Sequence, residues 1–365
     1  MDSKILCLND FEEYAKKNLD RKALAFYIQG AEREFTMQEN FKCFTRYIFI
    51  PRMLRGPCNE DFSTTVLGEK ISMPIGISPM AYQRLAHPEG EVAAAKAAAE
   101  AGVVYTLSTV STTSIKDLAD SRPKSPPLWM QLYVFKNRLG ARTIIRNAEA
   151  NGYKALVLTV DTPMTGLQLR LWRNGLELPP HLSAPNLADA LKEANAPVQT
   201  ETHSSNVHLL HATSWEDVKW IKSITKLPLI LKGILSVEDA LEAVKYGVEA
   251  IWVSNHGGRQ LDCVPTTLDA LSKIAPALAG TGCEVYVDGG FRWGSDVLKA
   301  LALGARAVFI GRPMLWALNH SGQDGVRLAL DILRSELLRA MLLSGCTSLK
   351  DAGPHMIQKQ EIAKI

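Results

Sequence analysis

The sequence predicts an α/β protein folded as a closed TIM (β/α)8 barrel, with a helical segment in front of it and a long lid loop after its fourth strand. Three observations point there. From Met73 onward, short apolar runs alternate with longer amphipathic stretches. About eight such pairs can be counted, the number that closes a barrel. Polar residues gather at the C-terminal ends of the apolar runs, where barrel enzymes keep their active sites. An open doubly wound sheet is the runner-up.

The first seventy residues (1–70) read as helices that cover the main body. Asn9-Asp10 can cap a helix running through Asn18, and a second helical pattern starts near Lys22 and carries Phe26 and Tyr27 toward Gly30. Thr36 and Glu39 have capping-box spacing and open a short helix toward Phe44. The apolar runs then begin at Ile75, Val103, Leu128, Ala155, Pro228, Ala250, Glu284 and Ala307. Helical composition fills residues 88–101, 138–151, 236–246 and 295–303 between them. One connection is out of rhythm: residues 162–213, rich in Pro, Asn and Ala, exceed any ordinary βα loop before Ser214 to Asp217 cap the next helix. At the active-site face such a loop is a candidate lid, with a disordered insertion as the alternative. No second domain is evident, so residues 1–365 are read as one.

Composition removes several function classes. A formal charge of +3 without a basic run argues against nucleic acid as a partner. Six scattered cysteines without CxxC spacing argue against a zinc site or a disulfide scaffold, so no metal is expected. The first ten residues lack the basic start and apolar core of a secretory signal, and no run is long enough to span a bilayer. Ala363-Lys364-Ile365 resembles the ending read by the peroxisomal import receptor; otherwise the protein is expected in the cytoplasm.

The chemistry centres on Ser254 to Asp262, which follows the apolar run Ala250 to Val253. His256 and Arg259 flank two glycines that let the backbone turn sharply near a flat ligand. A titratable base beside a fixed cation suits an anionic substrate that must lose a proton, although a polar turn is the plainer alternative. Other strand ends contribute Ser78, Met80, Ala81, Ser108, Gln131, Tyr133, Thr159, Asp161 and Lys232. Asp288, Gly290, Arg292, Gly311 and Arg312 follow the seventh and eighth strands, the usual phosphate site of this fold. Lys232 would be costly at the end of an apolar strand without an anionic partner, and it can stabilise negative charge on a flavin ring. Asp161 can pair with His256 or serve as a helix cap.

These residues resemble the FMN-dependent L-2-hydroxy acid oxidases, the group of glycolate oxidase and the long-chain hydroxy acid oxidases. The matching segments are Tyr27 with Gly30-Ala31, Ile77 to Pro79 leading into His87 to Gly90, Gln131 to Tyr133, Thr159 to Pro163, Leu231 to Gly233, Ser254 to Asp262, Asp288 to Gly290 and Gly311 to Pro313. The resemblance implies FMN as cofactor and oxidation of an L-2-hydroxy acid to the 2-oxo acid, with O2 reduced to hydrogen peroxide. It makes His256 the base, Asp161 its partner, and Arg259 the carboxylate clamp assisted by Tyr27, with Tyr133 bonding the substrate oxygen. Lys232, Ser108, Gln131, Thr159 and Ser254 would contact the flavin ring or ribityl chain, and backbone from Pro79 through Met80 to Ala81 its reactive edge. Asp288, Gly290, Arg292, Gly311 and Arg312 would take the ribityl phosphate. A homotetramer or larger assembly is also implied.

Three positions depart from the pattern, one of them Leu171, which stands where the family usually has an acid. Gln168 stands where the family carries an arginine, leaving Arg170 or Arg173 as the residues that could replace it. Val110 stands where glycolate-preferring members carry a bulky aromatic, which implies room for a larger side chain. The alternatives are a soluble dehydrogenase with another electron acceptor, or a non-catalytic FMN-binding protein with an altered lid.

Overall fold

The computed structural model describes residues 4–194 and 212–360. Its centre is a closed barrel of eight parallel strands: Ile75–Ile77, Val104–Leu107, Leu128–Leu132, Ala155–Thr159, Leu229–Ile234, Ala250–Val253, Glu284–Val287 and Ala307–Ile310. Each lies within an apolar run read from the sequence, or within two residues of one. Nearly every strand residue is buried, because helices cover the outside of the barrel while side chains fill its inside. Such strands therefore read as continuous apolar runs rather than alternating ones.

The inside is filled by an aromatic plug. Trp129, Trp252, Tyr286 and Phe309 pack together, with the Trp252 and Phe309 rings 4.0 Å apart. Gly76 makes room for it, since a Cβ there would lie 2.4 Å from Phe309. A hairpin of Thr64–Val66 and Glu69–Ile71, absent from the sequence reading, adds Val66 and Ile71 to this cluster. The plug fills the barrel below the strands' C-terminal ends, so among the described residues a ligand has room at that C-terminal mouth.

Three helices precede the barrel: α1 (Leu8–Asn18), α2 (Arg21–Ile28) and α3 (Phe35–Arg46). Helix α1 is capped two residues before Asn9, at Cys7, with Asp10 reaching back to the Leu6 and Cys7 amides. Helix α2 is capped by Asp20. The capping box assigned to Thr36 does not form: Thr36 lies inside α3, and Glu34, the cap position just before the helix, has a left-handed backbone. The donors at this end go instead to Asp262, whose carboxylate accepts from the Arg33 (3.2 Å), Phe35 (3.2 Å) and Thr36 (2.7 Å) amides. A residue over two hundred positions away thus does the work that local spacing had assigned to a neighbour.

The long connection after the fourth strand is not structureless. Its described part contains helices Leu169–Asn174 and Pro185–Glu193, both amphipathic enough to bury Leu171, Ala190 and Leu191. Ser214 and Asp217 form the expected capping box of the next helix. The peroxisome-like ending at residues 363–365 lies outside the described residues, and no described helix is long and apolar enough to cross a membrane.

Candidate active site

A cavity of about 1100 Å³ opens at the C-terminal ends of the strands. That exceeds a pocket for one drug-sized ligand (roughly 300–1,000 Å³) and suits a cofactor together with a substrate. Its lining includes Tyr27, Pro79, Met80, Ala81, Ser108, Gln131, Tyr133, Thr159, Lys232, His256, Arg259, Asp288, Gly290, Arg292, Gly311 and Arg312. Two of the residues read from the sequence are not in the wall: Asp161 and Ser254 sit behind it, bonded to residues that are.

Asp161 meets His256 at 2.9 Å, carboxylate Oδ1 to ring Nδ1, which leaves Nε2 as the ring nitrogen able to take a proton. Burial works to raise the Asp161 carboxyl. The His256 and Lys232 charges and the Thr162 hydroxyl outweigh it and hold the carboxyl below its usual range. Its second oxygen, Oδ2, is buried without a hydrogen-bond partner among the described residues. His256 sits at φ +56°, followed by Gly257 and Gly258, also left-handed. Here the turn requires glycine, because a Cβ on Gly258 would come within 2.5 Å of the Met37 backbone nitrogen.

Arg259 is held by the C-terminal end of α2. Its Nη1 donates to the carbonyls of Phe26 (2.8 Å), Tyr27 (3.3 Å) and Gln29 (3.3 Å), and its guanidinium lies over the Phe26 ring. Arg312 Nη1 bonds the Ile28 carbonyl next to them (3.3 Å) and its Nη2 bonds the Gly257 carbonyl. Two cations thus satisfy carbonyls that every helix end leaves bare. This clamp is what brings Tyr27 into the wall. The Tyr27 proton is committed to the Tyr82 carbonyl at 2.6 Å, so it can serve a substrate only by exchanging that bond. Tyr133 is half-buried, and desolvation of its hydroxyl, with Asp161 nearby, pushes that hydroxyl well up, keeping it a donor.

Lys232 lies two residues before the end of the fifth strand as an almost fully buried cation. Its Nζ donates to the Ser254 hydroxyl (2.9 Å) and lies 3.3 Å from the Asp288 carboxylate, which also accepts from Ser254 at 2.6 Å. Gln131 bridges neighbouring strands through Thr159 (3.1 Å) and the Thr109 amide (2.9 Å). The Ser108 hydroxyl accepts from the Val110 amide.

At the seventh and eighth strand ends, burial pulls Arg312 down to about 9, with Arg259 and Arg292 adding like-charge repulsion; burial also lowers Arg292 and takes Arg259 to about 10. Arginine does not give up its proton at such sites, so these shifts express buried cations, of which only Arg292 has a carboxylate partner among the described residues, Glu12. Gly290 comes so close to α3 that a Cβ would lie 2.2 Å from the Asn40 carbonyl oxygen. Buried cations, a backbone cradle and a roomy cavity fit a flat cofactor carrying a phosphate dianion.

Neither proposed substitute for the missing arginine reaches in. Arg170 is exposed and paired with Glu34 at 3.0 Å, and Arg173 is exposed. Gln168 is buried, accepts from Gln29 (3.3 Å) and donates to the Arg259 carbonyl (3.2 Å). The described lid wall is apolar apart from Gln168, Glu177 and a few hydroxyls, with Leu171, Trp172, Leu176, Leu178, Leu182, Leu187 and Leu191 facing the space. The sequence reading missed Glu12, Gln29 and Gln260. Gln260 staples the lid root by donating to the Asp161 and Met164 carbonyls. Local pattern carries no signal for these contacts, since their partners lie far along the chain.

A parallel barrel with a histidine–aspartate pair at its mouth, beside Arg259 and Arg312, which have no carboxylate partner among the described residues, defines a cofactor-dependent barrel oxidoreductase. The chain belongs to the FMN-dependent dehydrogenase family, whose model matches residues 15–359. It is 43% identical to human 2-hydroxyacid oxidase 1, across 99% of this chain and 98% of that protein. It is 47% identical to L-lactate oxidase of Nostoc sp., across 94% and 95% of the two chains. The structure of mandelate oxidase with (S)-4-hydroxymandelic acid superposes with a TM-score of 0.89 at 40% identity, covering 97% of this chain and 98% of that one.

Proposed function

We propose that this protein oxidises L-2-hydroxy acids bearing medium-length or longer apolar side chains to 2-oxo acids, passing the electrons through FMN to O2 and releasing hydrogen peroxide. The observation that carries the reaction is the His256–Asp161 pair at the cavity mouth. Bound FMN supplies an acceptor for the two electrons. His256 Nε2 takes the substrate's proton, and the Asp161 carboxylate stabilises the imidazolium that results. Arg259 holds the substrate carboxylate through the guanidinium nitrogens not engaged by α2, and the Tyr133 hydroxyl donates to the substrate oxygen. Tyr27 adds a second contact to the carboxylate. Lys232, Ser108, Gln131, Thr159 and Ser254 hold the ring and ribityl chain beside backbone of Pro79, Met80 and Ala81. Asp288, Gly290, Arg292, Gly311 and Arg312 hold the phosphate end.

What supports the chain-length reading is the pairing of Val110 with the apolar lid wall. Each methylene buried there contributes about 0.8 kcal/mol, so kcat/KM for straight-chain 2-hydroxy acids should climb by up to about fifteenfold per two carbons from glycolate toward 2-hydroxyoctanoate. Val110→Trp should invert that order. Steady-state peroxide formation over the series checks it, and a wild type that prefers glycolate would refute it. The dehydrogenase and binding-protein alternatives lose ground because the relatives are named as oxidases and the base and its partner are intact. We also read residues 363–365 as a peroxisomal address and the assembly as a homotetramer or larger. Import of a reporter carrying this ending and light scattering test these two readings.

A further inference from the structure

Arg292 is almost fully buried, yet its anchoring comes from outside the barrel. Its Nη2 donates to Glu12 of α1 at 2.9 Å, its Nη1 to the Phe291 carbonyl at 3.3 Å, and its plane lies over the Phe41 ring of α3 at 4.8 Å. Glu12 is itself mostly buried, with Lys16 3.2 Å away on its outer side. A guanidinium has five N–H donors in a rigid fork. Fixing one edge on a carboxylate and the plane on an aromatic ring holds the remaining donors in place at the cavity that Arg292 lines. Helix α1 in turn packs on the C-terminal helical segment Arg312–Ser344, which is kinked at Ser321 and Gly322 and whose first residue is the neighbouring arginine of the same cradle.

We propose that Glu12 is a positioning residue for the cofactor phosphate: it holds Arg292 in its binding pose and so couples the docking of α1 to occupancy of the phosphate cradle. This rests on the assignment of Arg292 to the phosphate, and the test separates the two. Two effects compete at Glu12. Its negative charge repels a phosphate, whereas its bond to Arg292 spares the ligand the cost of ordering a long side chain. The buried geometry and the second cation, Lys16, offset the repulsion, so positioning wins.

The experiment strips the flavin and titrates FMN and riboflavin, which lacks the phosphate, into the wild type, Glu12→Ala, Glu12→Gln and Arg292→Ala, following flavin fluorescence. Hydrogen exchange of residues 8–18 is measured with and without FMN. Arg292→Ala should weaken FMN by about a hundredfold and leave riboflavin unchanged; an unchanged FMN affinity would remove the phosphate assignment and the proposal with it. Glu12→Ala should weaken FMN alone by about tenfold, the scale of one charge-assisted bond, and abolish the slowing of α1 exchange by FMN. Glu12→Gln keeps an acceptor and should stay within about threefold of wild type. The proposal is overturned if Glu12→Ala binds FMN as well as or better than wild type, if it weakens FMN and riboflavin alike, or if Glu12→Gln is as impaired as Glu12→Ala.

Discussion

Replacing Asp161 with Asn tests the proton-transfer chemistry most directly. The amide keeps an oxygen to accept from His256 Nδ1 at the observed 2.9 Å but removes the charge that stabilises the imidazolium. Hydrogen bonds to charged groups contribute about 1.5–3 kcal/mol, which at about 1.4 kcal/mol per tenfold converts to a loss of roughly 10- to 150-fold in the proton-abstraction step. The assay is anaerobic stopped-flow reduction of the bound flavin by an (S)-2-hydroxy acid, with flavin content measured in parallel to show that the site is still assembled. A reduction rate within about threefold of wild type at full flavin content would mean that the pair stabilises no charge in the reaction. The same substitution has a stability signature. Asp161 has its carboxyl depressed in the fold, so its contribution is present above the ordinary carboxylate value and lost as pH falls through the folded one. The stability gap between wild type and Asp161→Asn should therefore shrink on the acid side.

Two further outcomes concern the scaffold. Asp262→Ala strips the acceptor from three backbone amides of the α3 entry and should cost about 2–4 kcal/mol in urea unfolding, more than an ordinary cap because the Thr36 amide is buried; a cost under about 0.5 kcal/mol would show that water replaces it. Asp296, buried and accepting from the Arg292 and Trp293 amides at 3.0 Å each, is pushed up to about 6, chiefly by burial. Its proton stabilises the fold at acid pH, and that contribution disappears as pH rises through 6. Asp296→Asn should gain on wild type by up to about 3 kcal/mol between pH 4 and 7, and a difference flat across that range would refute the shift.

The barrel was legible because its signal is local. Runs such as Leu128 to Val134 are buried on both faces, so apolarity is continuous and the strand announces itself. His256, Arg259 and Lys232 were legible for a related reason: a charge ending an apolar strand is costly anywhere except at a site. What escaped is what depends on distance along the chain. The spacing of Thr36 and Glu39 satisfied a capping rule, but Asp262 is a stronger acceptor and takes those amides. Arg170 and Arg173 stood close in sequence to the missing cation, yet the helix that carries them turns both outward, and Glu34 captures Arg170. Gln168 is read correctly as uncharged; its two hydrogen bonds, which make it part of the seam between lid and cover, involve partners that no window around it contains.

The stretch from Ser254 to Asp262 is a joint as well as a reagent. Its first half presents a base and a cation to the cavity, while its last residue fastens the N-terminal cover to the barrel. Copied into another barrel, the nine residues would bring the reagent without the piece it bolts to, and nothing would oblige His256 to keep its unusual backbone. Portability of this chemistry is therefore limited by α3, a helix that touches no reacting atom.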